Sequence, residues 1–144
     1  MKSIRKSLSL SYRIEQMYEL VSDVRAYPDF LPWCTRAQIV EGDQPNQAVI
    51  TLFGDFRGLK FSFTTHNTHA KPESIRFDLV DGPFDQLHGQ WTFAALPKNR
   101  CQIEFSMHYQ FSSQLLSAIL APVFDVISFT LIDSFKRQAK KRYG

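Results

Sequence analysis

The side chains that could perform chemistry are few, and their spacing forms no recognisable site. The four histidines are His66, His69, His88 and His108. His66 and His69 are three residues apart, which in a strand places them on opposite faces. His88 and His108 alternate with apolar neighbours, so we expect both to face outward. None of these spacings is that of a metal site, and a structural role is favoured for all four.

Cysteine and aspartate residues add no catalytic group. Cys34 has no base near it in the sequence, so burial as a small apolar side chain is expected. Asp78, Asp81 and Asp85 could pair as acids, but Asp81-Gly82-Pro83 is better explained as a turn. No glycine-rich loop is present that would cradle a phosphate. The sequence therefore predicts no catalytic residue, no metal ligand and no cofactor, and it favours a protein that is not an enzyme.

Composition and charge are those of an ordinary globular chain. The 144 residues are 44% hydrophobic and 22% charged, which suits one domain over residues 1–144. A net charge of +3 does not by itself predict DNA as a partner. The two cysteines are too few for a disulfide framework, and the basic residues near the start precede no sustained apolar run. We therefore expect a cytoplasmic protein.

The spacing of hydrophobic residues along the sequence predicts a strand, a helix, a sheet and a second helix. Residues 3–10 alternate, which predicts a half-buried strand, whereas residues 13–24 carry apolar side chains at helical spacing. Residues 27–33 contain two prolines and are predicted to form a compact apolar loop. The following region predicts an antiparallel meander, with strands at 37–41, 48–53, 59–64, 75–79, 87–93 and 101–111.

The last predicted element is a long apolar helix over residues 115–135. Pro122 lies inside it, so a kink or a break near Ala121 is expected. The length would suit a membrane span, but Asp125 and Pro122 near its centre argue against that. A helix that is apolar on nearly all sides must be buried on most of them, and one sheet offers a single apolar face. The uncovered flank needs the 27–33 loop, a cavity, a membrane surface or a partner.

The apolar face of the predicted sheet is rich in aromatic side chains. Together with the helix, it predicts a groove suited to a hydrophobic ligand. The alternative, with equal support, is that the same side chains simply fill the core, since aromatic-rich cores are common. The side chains of this face are Phe61, Phe63, Phe77, Leu79, Trp91, Phe93, Phe105 and Met107.

Five basic residues follow the apolar helix, at Lys136, Arg137, Lys140, Lys141 and Arg142. One interpretation is a solvated helix end, where the helix dipole favours cations. The other is a surface for an anionic membrane or for RNA phosphates. Both interpretations stay open on the sequence alone.

Four segments of the chain resemble the sequence motifs of one known family. Tyr27-Pro28-Asp29-Phe30-Leu31-Pro32-Trp33-Cys34 resembles the family's YPxFLPxC signature, and Val80-Asp81-Gly82-Pro83-Phe84 resembles its VDGPF turn. Leu87-x-Gly89-x-Trp91-x-Phe93 and Cys101-x-Ile103-x-Phe105 resemble its last two strands. The motifs follow the family's order along nearly the whole chain. These motifs resemble those of the coenzyme Q-binding START-like proteins, a family that includes the bacterial ribosome association toxins and is also described as polyketide cyclase/dehydrase-like.

The resemblance implies an α+β helix-grip fold, in which a curved antiparallel sheet of six to seven strands wraps around the long C-terminal helix. It implies a tunnel that holds ubiquinone or another polyprenyl lipid in support of respiratory electron transport. For the toxin branch it implies binding to the large ribosomal subunit and a block of subunit joining. The motifs are shared by both branches and do not choose between them.

Residues and resemblance together give the hypothesis of a non-catalytic protein that binds an isoprenoid quinone or another lipid. The cytoplasm is the expected location, with a peripheral position at the inner membrane as an alternative. RNA of the large ribosomal subunit is the alternative partner. Further candidate ligand contacts, around the mouth and on the helix, are Tyr27, Phe30, Leu31, Trp33, Phe84, Val123 and Ile127.

Overall fold

The computed structural model describes residues 1–144. In chain order, the elements are β1 (Lys2–Leu10), α1 (Ile14–Ser22), a 3₁₀ turn (Val24–Ala26), α2 (Tyr27–Phe30), β2 (Cys34–Glu41), β3 (Gln47–Phe56), β4 (Leu59–Ala70), β5 (Ser74–Asp81), β6 (Phe84–Leu96), β7 (Arg100–Phe111) and α3 (Gln114–Tyr143). The strands form one antiparallel sheet in the order β1-β7-β6-β5-β4-β3-β2. The predicted α+β helix-grip fold is confirmed.

Alternation of apolar and polar side chains directs one face of the sheet inward. In β7, Cys101, Ile103 and Phe105 are buried, whereas Gln102 between them is exposed. β1 pairs with β7 along its whole length, with Leu10 opposite Cys101. The first strand therefore extends the meander at its far edge, and the same face of all seven strands turns toward α3.

Two segments differ from the prediction. Residues 27–30 form the short helix α2 instead of a loop, because Pro28 stands in its first turn, where its missing N–H costs no hydrogen bond. β4 continues to Ala70 instead of ending at Thr64, and its ladder with β5 runs through this extension. Polar side chains occupy both faces of the extension, so the apolar alternation that predicted the strand is lost there.

Helix α3 runs unbroken through Pro122 and continues to Tyr143, beyond the predicted end at residue 135. The predicted break near Ala121 does not occur. Pro122 is exposed, and it removes one backbone hydrogen bond from the helix. The packing of the helix against the sheet before and after Pro122 compensates for this loss. Ser113 begins the helix, since its Oγ accepts a hydrogen bond from the Leu116 N–H at 3.1 Å.

One face of α3 belongs to the hydrophobic core. Its buried side chains include Val123, Phe124, Ile127, Leu131 and Phe135. The helix is long and apolar enough to cross a membrane by length and composition, but only 33% of its most apolar window is buried in the fold. The sheet thus covers one side of α3 and leaves the predicted apolar flank uncovered.

Candidate ligand-binding cavity

A cavity of about 110 Å³ lies between the inner face of the sheet and α3. Twenty-two residues line it, of which 17 are hydrophobic. Val24 and Leu31, from the helical segment that follows β1, line one part of it, and Ile127 and Leu131 of α3 line another. An engineered apolar cavity of about 150 Å³ in another protein holds benzene. The space is therefore close to the size of a single aromatic ring.

Nine of the predicted ligand contacts line this cavity. They are Tyr27, Leu31, Trp33, Phe63, Phe77, Trp91, Phe105, Met107 and Ile127. Six others lie outside its lining: Phe30, Phe61, Leu79, Phe84, Phe93 and Val123. That the nine side chains contact a ligand stays a prediction, but the fold brings them to one place.

Aromatic packing explains why several of the six lie outside the lining. Phe61 and Phe84 both pack against Phe124, with ring centroids 5.6 and 5.4 Å from it. Phe30 packs edge-on against Phe135 at 5.2 Å. Phe124 and Phe135 therefore stand between these rings and the cavity, because both of them line it.

Three polar side chains on β4 also face the cavity, and none of them was predicted from the sequence to do so. Thr65, Asn67 and His69 follow Phe63 at intervals of two, so they share its face of the strand. Thr65 is only 6% and Asn67 only 9% exposed. The sequence signal that could have revealed them is that residues 64–69 are polar at every position. A strand with one buried face needs polar side chains only on its other face, so polar residues on both faces indicate polar groups that point inward. We call Thr65, Asn67 and His69 the polar strip.

Hydrogen bonds within the polar strip leave groups free for a ligand. The hydroxyl of Thr65 donates to Oδ1 of Asn67 at 2.6 Å. The Tyr18 hydroxyl bonds Nδ1 of His69 at 2.7 Å. The amide nitrogen of Asn67 and Nε2 of His69 take no part in these bonds, and an amide N–H is a donor. This end of the cavity therefore suits a ligand that carries a carbonyl or hydroxyl oxygen.

Burial lowers the pKa of His69 from its ordinary value of 6.5. As the pH falls, the unfolded chain consequently binds a proton at this side chain at a higher pH than the folded protein does. We expect the free energy of unfolding to fall as the pH drops through 6.5 toward the lower pKa of the folded state, and to fall less steeply in His69→Gln. Urea unfolding of both proteins at a series of pH values measures this. Equal pH dependence in the two proteins would contradict a neutral, half-buried His69.

Cys34 ends the YPxFLPxC-like motif but is not prepared to act as a nucleophile. Burial raises its pKa to about 11, and its thiol donates to the carbonyl oxygen of Arg36 at 3.6 Å. Cys101 is likewise free and buried. Because the thiolate is the reactive form, the geometry favours a packing role for Cys34.

Alkylation kinetics test this assignment. In a Cys101→Ala background, we expect iodoacetamide to modify Cys34 about a hundredfold more slowly at neutral pH than an exposed thiol of pKa 9.0, since two pKa units separate them. The rate should continue to rise up to a pH of about 11. A plateau close to pH 9 would show that the thiol is not desolvated.

The remaining histidines lie away from the cavity. His88 and His108 stand opposite each other on β6 and β7, with ring centroids 5.2 Å apart. His66 lies on the face of β4 opposite to His69. No group of three or more His, Cys, Asp or Glu side chains comes together in the fold.

The basic residues at the end of α3 do not form one uniform surface. Arg142 pairs with Glu19 at 3.1 Å and with Asp23 at 3.4 Å, so it fastens the helix end to α1. The other four side chains are exposed, at Lys136, Arg137, Lys140 and Lys141. A partner therefore meets these four more readily than it meets Arg142.

Comparison with known proteins assigns the chain to a family. Residues 10–136 match the family described as polyketide cyclase / dehydrase and lipid transport. The chain belongs to this family. Among its relatives, the ribosome association toxin RatA of Escherichia coli K12 is 36% identical, and the match covers 100% of this chain and 90% of RatA. The mitochondrial coenzyme Q-binding protein COQ10 homolog B of Xenopus laevis is 27% identical, over 96% of this chain and 58% of that protein.

A solved structure agrees with the fold. The Zhui aromatase/cyclase from Streptomyces sp. R1128 superimposes with a TM-score of 0.85 at 16% identity, covering 99% of this chain and 96% of the cyclase. At that identity the likeness shows the fold alone. The resemblance to the coenzyme Q-binding and ribosome association toxin proteins, first indicated by the motifs, is confirmed. Because the family contains proteins of different activities, function must be argued from the cavity and the surface.

Proposed function

We propose that this family member binds ubiquinone or a related polyprenyl lipid in the cavity, without catalysis, in support of respiratory electron transport. The observation that carries the proposal is a ring-sized apolar cavity with a polar strip on one side. Its volume is about 110 Å³, and 17 of the 22 lining residues are hydrophobic.

The walls of the cavity suit a flat ring. Trp91 and Phe105 lie with centroids 4.7 Å apart, and Phe77 stacks on Phe105 at 5.9 Å. A quinone ring presents faces that aromatic side chains contact well, and it carries two carbonyl oxygens that only accept hydrogen bonds. The amide nitrogen of Asn67 and Nε2 of His69 are the groups in the polar strip that can donate to such an oxygen.

The polyprenyl tail has no room beside the ring. Pockets that enclose drug-sized ligands measure about 300–1,000 Å³, which is several times the 110 Å³ here. The tail must therefore leave the cavity, and lining side chains must move as the ring enters. Met107 is the most adaptable of them, because a methionine side chain has three rotatable bonds and changes conformation at little cost.

The lining favours binding over catalysis. No carboxylate lines the cavity, and His69 is its one side chain whose ordinary pKa lies near neutrality. The hydroxyl of Tyr18, its hydrogen-bond partner, has a pKa raised by burial. General acid–base chemistry usually employs two groups whose pKa values are driven apart around the working pH, and the second such group is missing from the lining.

Two measurements test the proposal. Organic extraction of the purified protein, followed by mass spectrometry, should release an isoprenoid quinone or a related lipid. Short-chain ubiquinone should also quench the fluorescence of Trp33 and Trp91, which both line the cavity. Asn67→Leu should weaken quinone binding about tenfold, which corresponds to one lost hydrogen bond of about 1.4 kcal/mol. The control ligand is a farnesyl hydrocarbon, whose binding Asn67→Leu should not weaken because it has no carbonyl oxygen. Absence of any extracted isoprenoid together with absence of quenching would reject the proposal.

A second function, of a different class, is association with the large ribosomal subunit to prevent subunit joining. The observation that favours it is the 36% identity over the whole chain to relatives named ribosome association toxin. The four exposed basic side chains of α3 offer a surface for RNA phosphates. This function agrees with a cytoplasmic location.

Sedimentation with purified large subunits tests the ribosomal function. Binding should be detectable at low salt and fall steeply as salt rises, because neutralised phosphates release counterions. The double variant Lys136→Glu/Lys140→Glu should abolish co-sedimentation, whereas Lys71→Glu/Lys98→Glu, with charge changes in two exposed hairpin turns, should not. If the wild-type protein does not sediment with large subunits at low salt, this function is excluded.

A further inference from the structure

The outer face of α3 carries a row of exposed apolar side chains. Leu115 is 70% exposed, Ile119 44%, Val126 44% and Phe129 76%. Their spacing alternates between four and three residues when the exposed Pro122 is included, which places all of them on one side of the helix. Exposed apolar side chains that occur singly need no explanation, but a continuous row over four turns marks an interaction surface.

Cations extend this row and flank it. The same spacing continues from Phe129 through Asp133 to Lys136 and Lys140, so the basic end of α3 lies on the same side as the apolar row. From β1, Lys6 places its Nζ 5.5 Å from the centroid of the Phe129 ring. Lys2, on the same strand, pairs with Asp125 at 3.7 Å. The acidic residues of this face are therefore Asp125, already paired, and Asp133.

The combination of apolar and basic groups identifies the occupant. An apolar row with lysines beside it and beyond it is the pattern of a helix that lies in the plane of a bilayer surface, with its apolar side chains among the acyl chains and its lysines at the headgroups. A second copy of the chain fits poorly. Antiparallel α3 helices would place Lys136 and Lys140 against the apolar half, and parallel helices would place like charges together.

We propose that the outer face of α3, with Lys2 and Lys6 of β1, binds an anionic membrane surface. This goes beyond ligand binding and does not depend on it, because the cavity lies on the opposite, buried side of the helix. The face presents α3 to the bilayer without removing it from the sheet, since Phe124, Ile127 and Phe135 remain in the core.

Flotation with vesicles that contain no quinone tests the proposal separately from the proposed function. The wild-type protein should float with phosphatidylcholine vesicles that contain a third phosphatidylglycerol, and binding to pure phosphatidylcholine should be at least tenfold weaker. Lys136→Glu/Lys140→Glu should reduce vesicle binding at least tenfold, since each lysine near an anionic surface contributes roughly fivefold. Leu115→Ser/Phe129→Ser should also reduce binding at least tenfold, because it removes two apolar side chains from the row that enters the acyl region.

Matched controls separate this surface from others. Val40→Ser removes an apolar side chain of 65% exposure from β2, at the other edge of the sheet, and Lys71→Glu/Lys98→Glu changes the same charge elsewhere. Neither should alter flotation, and thermal unfolding should confirm that every variant folds. The proposal is overturned if the wild-type protein does not float with anionic vesicles. It is equally overturned if the lysine variant loses binding while Leu115→Ser/Phe129→Ser retains it, because an RNA-type, purely electrostatic surface behaves in that way.

Discussion

Gly89→Val is expected to destabilise the protein by about 3 kcal/mol or more, which is the upper end of the cost of overpacking a core. Gly89 lies in β6 on the inner face of the sheet, between Phe77 of β5 and Met107 of β7. A Cβ at this position would meet Cζ of Phe77 at 2.6 Å and the Cα of Met107 at 2.9 Å, and it would overlap the carbonyl oxygen of Ser106. The backbone of β7 must then move, because the obstructing atoms are not all at the end of a flexible side chain.

The absence of a side chain at Gly89 is thus what lets the tip of the Phe77 ring approach the backbone of β6. A lowered midpoint of urea unfolding, at unchanged slope, is the expected readout. Ala94→Val on the same strand is the control, because Ala94 is exposed and the added methyl groups meet solvent. An unfolding midpoint for Gly89→Val equal to that of Ala94→Val would show that the strands around Gly89 have more room than the structure gives them.

Ser128→Leu is expected to abolish measurable quinone binding while leaving the protein at least as stable as the wild type. Ser128 is 8% exposed on α3, lines the cavity, and donates its hydroxyl to the Phe124 carbonyl at 2.6 Å. A leucine has two more side-chain heavy atoms than a serine, and its apolar carbons would occupy the space where the ring is proposed to lie. Filling a cavity typically adds about 0.5–2 kcal/mol to stability, so loss of binding could not be attributed to unfolding.

Ser128→Ala is the matched control for this variant. It removes the same hydroxyl without filling the space, and the Phe124 carbonyl keeps its bond in the helix, so quinone affinity should change by less than about threefold, or well under 1 kcal/mol. The measurement is a fluorescence titration of all three proteins with short-chain ubiquinone. Ser128→Leu binding the quinone as tightly as Ser128→Ala would place the ligand outside the cavity.

The sheet was predictable from the sequence because its signal is local. In β7 the alternation of apolar and polar side chains from Cys101 to Phe111 predicts which side chains point inward, and their burial agrees with this pattern at most positions. The same period-two pattern selected Phe63, Phe77, Trp91 and Phe105, which line the cavity. Side-chain direction in a strand needs no knowledge of the rest of the fold.

The helix side of the cavity was not predictable in the same way. Phe124 is 2% exposed and lines the cavity, whereas Phe129, five residues later, is 76% exposed on the outer face. A helix that is apolar on nearly all sides carries no pattern that distinguishes its two faces, so only the position of the sheet decides between these phenylalanines. The predicted uncovered flank was confirmed in the same helix, but its residues could not be named.

The polar strip was missed for a related reason. Residues 64–69 contain no apolar side chain, so they read as a segment after the end of the strand. In the fold, the backbone pairing of β4 with β3 and β5 continues and brings Thr65, Asn67 and His69 to the wall of the cavity. Polar side chains in a core are costly unless they bond one another or a ligand. The bonds of Thr65 to Asn67 and of Tyr18 to His69 offset that cost, and the amide nitrogen of Asn67, which takes no part in them, is the group left for a ligand oxygen.

Intermolecular NOEs measured by NMR would show whether the quinone ring occupies the cavity. With short-chain ubiquinone bound to isotopically labelled protein, we expect NOEs from the ring methyl and methoxy protons to side chains of the cavity, including Thr65, Trp91 and Ile127. The side-chain amide signals of Asn67 should also shift, since that amide is the proposed donor to a ring carbonyl. NOEs confined to Leu115 and Phe129 on the outer face of α3, with the Asn67 amide unchanged, would contradict binding in the cavity.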